Sequence, residues 1–206
     1  MSRLPPDHSD LADVNPFSTR YIRPGALPFL FSAGAQAADL VARLRQQRWW
    51  GQIVGPHGSG KSSLLAALRP SLETAGLAPL IVTLHQGQRR LDVALNDQLA
   101  GQTRLMVIDG YEQLGWMARC RLKHFCRRHG LGLLVTSHRG CGLPPLFQTQ
   151  ATLPQAQAIV EQLQAGFAAR IAPDDVRAAL QRHGGNLREM LFDLYDLYES
   201  RRRGTE

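Results

Sequence analysis

The chain has 206 residues, 44% of them hydrophobic and 20% charged, which is enough apolar matter for a buried core and argues against wholesale disorder. Lys and Arg number 24 against 17 Asp and Glu, and only Lys61 and Lys123 are lysines, so the arginine-rich surface admits an acidic partner without specifying one. The N-terminal stretch lacks the apolar core of a signal peptide, no run reaches bilayer length, and the three cysteines form no disulfide framework. A cytoplasmic protein with no membrane partner is expected.

Residues 1–28 carry Pro5, Pro6, Pro16, Pro24 and Pro28, which block regular structure. Phe17, Tyr21 and Ile22 are apolar enough to pack on the rest. Leu40, Val41 and Leu44 then recur on one face of a helix. Trp50 to Val54 reads as a buried strand, and a helix follows from about Gly60 to Ala75, closed by Gly76. Further strands are expected at Leu80–Leu84, Leu105–Ile108 and Leu131–Thr136. Between them fall a short amphipathic helix at Leu91–Leu99 and a cationic helix from about Gly115 to His129. A brief strand around Gln150–Leu153 is expected to complete five. After Pro154 only helices remain: Gln155–Gln164, Pro173–Arg182 and Leu187–Arg202.

Continuously apolar strands alternating with helices predict an α/β fold with a parallel sheet covered on both faces. The expected division is an irregular segment at 1–28, a sheet core at 29–153 and a small helical lid at 154–206.

The stretch Gly55-Pro56-His57-Gly58-Ser59-Gly60-Lys61-Ser62-Ser63 follows a strand and opens a helix, the context required of a P-loop. A phosphate cradle needs backbone amides close to the anion, hence the glycines at 55, 58 and 60, and a helix N-terminus behind them. Lys61 would supply a point charge to the β and γ phosphates. Ser62 would ligate Mg²⁺, which favours oxygen donors.

Asp109, at the end of an apolar strand, is the second expected metal-site residue. Glu112 is the acid nearest in sequence for orienting an attacking water, although a residue there can equally be a solvated position in a helix's first turn. At the end of the fourth strand, Ser137 and His138 are candidates for touching the γ-phosphate or the water. Arg139 could reach the same phosphate.

These pieces together resemble the additional-strand P-loop ATPases, specifically AAA+ proteins and the related STAND ATPases, over roughly residues 29–200. Gly55–Ser62 resembles Walker A and Leu105–Asp109 resembles Walker B. Asp109-Gly110-Tyr111-Glu112-Gln113-Leu114 is similar to the form seen in some STAND members, where the glutamate stands three residues after the aspartate. The resemblance implies Asp109 for Mg²⁺ and Glu112 for water, with Gly110 where most AAA+ proteins keep their catalytic glutamate. Thr136-Ser137-His138 falls where sensor 1 would fall. Gly185-Asn186-Leu187-Arg188-Glu189 is similar to the sensor 2 motif, which implies that Arg188 reads the γ-phosphate. The interval from His138 to Thr149 has little room for the helix that usually precedes the fifth strand, so an arginine finger has no clear counterpart.

The expected function is therefore an ATP- and Mg²⁺-binding freestanding module. It would hydrolyse ATP and act as a conformational switch for a protein partner, with oligomerisation left open. Two rivals use the same loop: a small-molecule kinase, and an ATP-tuned module that binds nucleic acid or protein without turnover. Cys120, His124, Cys126 and His129 share a helix, but their spacing places them on different faces and is wrong for a zinc site.

Overall fold

The computed structural model describes residues 14–23, 26, 29–31, 36–89, 91, 103–168 and 170–204. They fall into two compact units. One holds the sheet and its flanking helices (29–57 and 61–149), the other the C-terminal helices with the N-terminal segment and the loop tip (1–28, 58–60 and 150–206).

In the sheet unit the strands are β1 (Trp50–Val54), β2 (Ala78–Thr83), β3 (Thr103–Asp109), β4 (Gly132–Ser137) and β5 (Pro145–Gln148). Their order is β2-β3-β4-β1-β5, and every neighbouring pair is parallel. All five C-terminal ends therefore lie along one edge of the sheet. The chain leaves β1 for the far strand β2 and returns through β3 and β4, so the ends of β1, β4 and β3 stand side by side. Such a switch point is where open α/β sheets bind ligands.

Alternation along the strands sorts side chains between two cores. Leu105 and Val107 of β3, Leu134 of β4 and Ile53 of β1 join Leu44, Leu64, Leu68 and Leu72 on one face. Those last residues come from α2 (Ala37–Gln46) and α3 (Lys61–Thr74). Met106, Ile108, Leu133 and Val135 turn to the other face, where Leu122 and Cys126 cover them from α4 (Trp116–Arg128). Each such leucine or isoleucine contributes about 1.5–3 kcal/mol by leaving water. In the same unit Phe29 packs edge-on to Phe31 and Phe147 at 4.9 and 6.2 Å.

The fifth strand corrects the sequence-based expectation. It runs Pro145–Gln148, not around Gln150–Leu153. Thr152 instead caps the next helix, α5 (Leu153–Gln164), its side chain accepting from the Gln155 amide. The turn from His138 to Pro144 contains no helix and is pinned by a buried amide: Gln52 Nε2 donates to Leu143 O at 2.6 Å, and Gln52 Oε1 accepts from Cys141 N at 2.7 Å. The helix expected at Leu91–Leu99 lies outside the described residues, apart from Leu91.

In the helical unit α5, α6 (Pro173–Arg182) and α7 (Leu187–Arg203) share a core of Val160, Leu163, Val176, Met190, Leu194 and Tyr198. Phe17 is fully buried in it, 5.9 Å from the Tyr198 ring. Asn15 anchors that segment by donating to Tyr195 O (3.0 Å) and Glu199 Oε1 (2.9 Å). A single helical turn, α1 (Thr19–Ile22), follows. Arg201 grips Asp175 through two bonds (2.5 and 2.9 Å), and Arg202 pairs with Glu199 (3.0 Å). Within this unit the Leu187 amide also donates to Gly58 O (3.2 Å).

Candidate functional site

Three strand ends build the site in the sheet unit. After β1 the Gly55 amide donates to Ser137 O at 3.1 Å, tying the start of the loop to the end of β4. The loop reverses direction through Gly60, whose φ of +91° is a left-handed conformation that side chains resist. α3 then begins at Lys61, so the first amides of this helix have no partner in a preceding turn. Lys61 Nζ donates to Gly55 O and Pro56 O, each at 2.7 Å. Burial pulls its pKa below the ordinary lysine value, against the attraction of Glu112 and Asp109. An ammonium held by two neutral carbonyls in this setting is well prepared to exchange them for phosphate oxygens.

The second strand end belongs to β3. Asp109 Oδ2 accepts from Ser62 Oγ at 2.6 Å, and its Oδ1 accepts from Thr136 Oγ1 at 2.5 Å. Thr136 Oγ1 in turn accepts from the Gly110 amide at 2.9 Å. The helix serine and the strand aspartate thus already sit together, as hard oxygen donors. That donor set fits Mg²⁺, which takes few protein ligands and completes its shell with waters and phosphate. Ser62 and Asp109 are the residues that would hold it. Among the described residues no group of three or more His, Cys, Asp and Glu is arranged to hold a metal ion.

Gly110 explains why the acid stands three residues on. Its φ is +86°, and a Cβ there would lie 2.9 Å from Leu84 O, so no side chain fits directly after Asp109. A 3₁₀ turn, Tyr111–Gln113, follows instead and carries Glu112. Arg119 clamps that turn, donating to Glu112 O and Leu114 O at 2.8 Å each while its guanidinium lies over the Tyr111 ring.

Glu112 faces the third strand end. His138 Nε2 lies 3.1 Å from Glu112 Oε1, with both side chains about one quarter exposed. The His57 ring, from the loop, lies against the His138 ring with centroids 3.6 Å apart. Burial lowers the His138 pKa below its ordinary 6.5; Glu112 opposes the shift, and Lys61 and His57 add to it. Glu112 Oε2 is buried without a hydrogen-bond partner.

The structure therefore brings together Lys61, Ser62, Asp109, Glu112 and His138, with Gly55, Pro56 and His57. Ser137 is 2% exposed and its hydroxyl donates to Arg139 O at 2.6 Å, holding the turn after β4. Arg139 itself is exposed. Ser63 is half-buried in the first turn of α3. Gly58, Ser59 and Gly60 group with the helical unit, as does Arg188. Arg188 occupies the first turn of α7, where its amide and that of Glu189 donate to the cap Asn186 Oδ1, and its guanidinium lies over Phe192.

Three contributors escaped sequence reasoning: Thr136 as the second hydroxyl on Asp109, Arg119 as the clamp, and His57 as the neighbour of His138. The first was within reach, because the pairing of Ile108 with Val135 sets Asp109 beside Thr136.

No protein-family model and no curated protein matches the chain. Solved structures do. The Thermotoga maritima RuvB Holliday junction branch migration motor is 15% identical, with a TM-score of 0.53 over 74% of this chain and 57% of its own. The replication initiator DnaA, bound to AMPPCP and single-stranded DNA, is 14% identical, with a TM-score of 0.55 over 83% and 63%. NtrX from Brucella abortus, in complex with ADP, is 16% identical, with a TM-score of 0.57 over 90% of this chain and 55% of its own. The chain thus spans between about half and two thirds of these structures. The fold is that of the P-loop NTPases: a five-stranded parallel sheet flanked by helices.

Proposed function

We propose that this chain binds Mg²⁺–ATP at the Gly55–Ser63 loop and hydrolyses it slowly, working as a nucleotide-dependent switch for a partner. The reading rests on one observation above the others: Ser62, Asp109 and Thr136, from α3, β3 and β4, are already bonded to one another beside the Lys61 ammonium. Lys61 and the first amides of α3 would neutralise the β and γ phosphates. Mg²⁺, when bound at Ser62 and Asp109, would draw charge from the phosphate oxygens. Glu112 is the acid on the water side, three residues after Asp109 as in the STAND-type pattern. Arg188 is assigned to reading the γ-phosphate on its resemblance to the sensor 2 motif alone, and Ser137 to holding the turn that carries His138.

Isothermal calorimetry with ATP, with and without Mg²⁺, combined with phosphate release in the absence of any acceptor, tests the reading. Release without an added metabolite supports hydrolysis; dependence on one would favour the kinase alternative.

A second reading, an ATP-tuned binding module, is favoured by the outer face of α4. Trp116 is 77% exposed and Met117 66%. Arg121, Arg127 and Arg128 are exposed further along, and the helix carries no acid. Exposed tryptophan beside arginines suits stacking on bases and contact with phosphates, and one neighbour in fold is a replication initiator with single-stranded DNA bound. Arg201 and Arg202, by contrast, are engaged in ion pairs. Binding of a fluorescent oligonucleotide that weakens steeply with salt would support this reading.

A further inference from the structure

We propose that His138 is the group that meets the attacking water, with Glu112 as its positioning residue and His57 of the phosphate loop lying against its ring. The proposal rests on the hydrolysis reading above and changes which side chain acts on the water. Glu112 Oε1 is already engaged, 3.1 Å from His138 Nε2. A carboxylate at that distance favours the tautomer with its proton on Nε2, which leaves Nδ1 as an acceptor. This is the order in which an acid, an imidazole and a reacting oxygen work together elsewhere: the acid orients the ring and the ring takes the proton.

The step balances without a further reactant. The water oxygen bonds to the γ-phosphorus as the bond from that phosphorus to the bridging oxygen breaks, and the electron pair leaves with ADP. The water proton passes to His138 Nδ1, then to solvent as phosphate departs. The new imidazolium faces Glu112, whose buried Oε2 has no hydrogen-bond partner. A carboxylate so poorly satisfied favours a cation beside it.

Before the step, the ring must be neutral. The charged and titratable groups around His138 are Glu112 on the 3₁₀ turn, Lys61 on α3 and His57 on the loop. Glu112 favours the cation, whereas Lys61 and His57 oppose it, as does burial. The balance falls on the neutral ring, with its midpoint below the ordinary 6.5. Protonation in acid removes the acceptor, so turnover declines as pH falls through that lowered midpoint while phosphate binding, aided by the added charge, does not.

The experiment compares wild type with His138→Gln, Glu112→Gln and His57→Gln. It reads kcat and KM for phosphate release from pH 5 to 8, ATP affinity by calorimetry, and imidazole protonation by ¹⁵N–¹H spectra without nucleotide. Expected for His138→Gln are an ATP Kd within about threefold of wild type, a kcat lowered about 100-fold, and loss of the acid limb. Glu112→Gln is expected to move the His138 midpoint to lower pH and His57→Gln to move it, with the acid limb of kcat, to higher pH. A His138→Gln enzyme with near-wild-type kcat, or with the acid limb intact, overturns the proposal and leaves the hydrolysis reading standing. Wild type that binds ATP and releases no phosphate over the whole range overturns both. If His138→Gln does not fold, the His57→Gln shift decides: an acid limb that does not follow the ring's midpoint overturns the proposal.

Discussion

Thr136→Val removes one hydroxyl and keeps the side chain's volume, so its effect isolates the bonds that join β3 and β4 at the site. Thr136 is fully buried; its Oγ1 donates to Asp109 Oδ1 at 2.5 Å and accepts from Gly110 N at 2.9 Å. Valine leaves a carboxylate oxygen and an amide without those partners, at about 1–3 kcal/mol each. The added methyl returns about 0.8 kcal/mol. The net expectation is a loss of about 1–5 kcal/mol, towards the lower end because Asp109 is only half-buried. Asp109 would also lose one of its two orienting bonds, so the Mg²⁺ dependence of ATP binding should weaken about tenfold. Ser137→Ala, one residue on, removes only the bond to Arg139 O and should cost about 1 kcal/mol with no change in Mg²⁺ dependence. Urea unfolding and calorimetric Mg²⁺ titrations of the two variants decide the matter. Thr136→Val within 0.5 kcal/mol of wild type, or a Ser137→Ala that harms Mg²⁺ dependence more, would refute the reasoning.

Gly110→Ala is expected to cost about 1–3 kcal/mol, since the residue adopts φ +86° and its Cβ would meet Leu84 O at 2.9 Å; equal stability by urea unfolding would contradict the packing described. Asp175 is held below its ordinary 3.8, first by the hydrogen bonds from Arg201. A depressed acid stabilises above its unfolded pKa and loses that contribution as pH falls through the folded one. Asp175→Asn should therefore be less stable at pH 7, by less than about 1 kcal/mol after solvent screening, with the difference shrinking as pH falls below the ordinary 3.8. Trp116→Ala should leave stability within about 0.5 kcal/mol of wild type and weaken oligonucleotide or partner capture; unchanged capture removes the case for the α4 face.

Legibility in the sequence followed burial. β1, β3 and β4 are central strands covered on both faces, so each carries a mainly apolar run, broken in β1 by Gln52. β5 lies at the sheet edge, begins with Pro145, and buries only Leu146 fully; nothing in its composition marks it. The stretch expected to be that strand holds Thr152-Leu153-Pro154-Gln155, a capping signal for α5 that outweighs its weak strand character. The loop between β1 and α3 and the position of Asp109 at the end of β3 were legible because the glycines mark the one and the apolar run Leu105–Ile108 marks the other. Arg119 was not. It looks like one more charge on the wet face of α4, yet it turns inward to the carbonyls of Glu112 and Leu114. The pairing of Glu112 with His138 depends on sheet order, which brings together chain ends 26 residues apart, and local patterning carries no trace of that.

Calorimetry of the wild-type chain and Lys61→Ala with ATP and Mg²⁺ is the most direct test of nucleotide binding at the Gly55–Ser63 loop. Wild type should release heat with a micromolar Kd and lose affinity when Mg²⁺ is chelated, and Lys61→Ala should bind at least tenfold more weakly, the equivalent of about 1.4 kcal/mol. Folded wild-type protein that gives no heat with ATP and Mg²⁺, or a Lys61→Ala variant that binds as tightly as wild type, would contradict it.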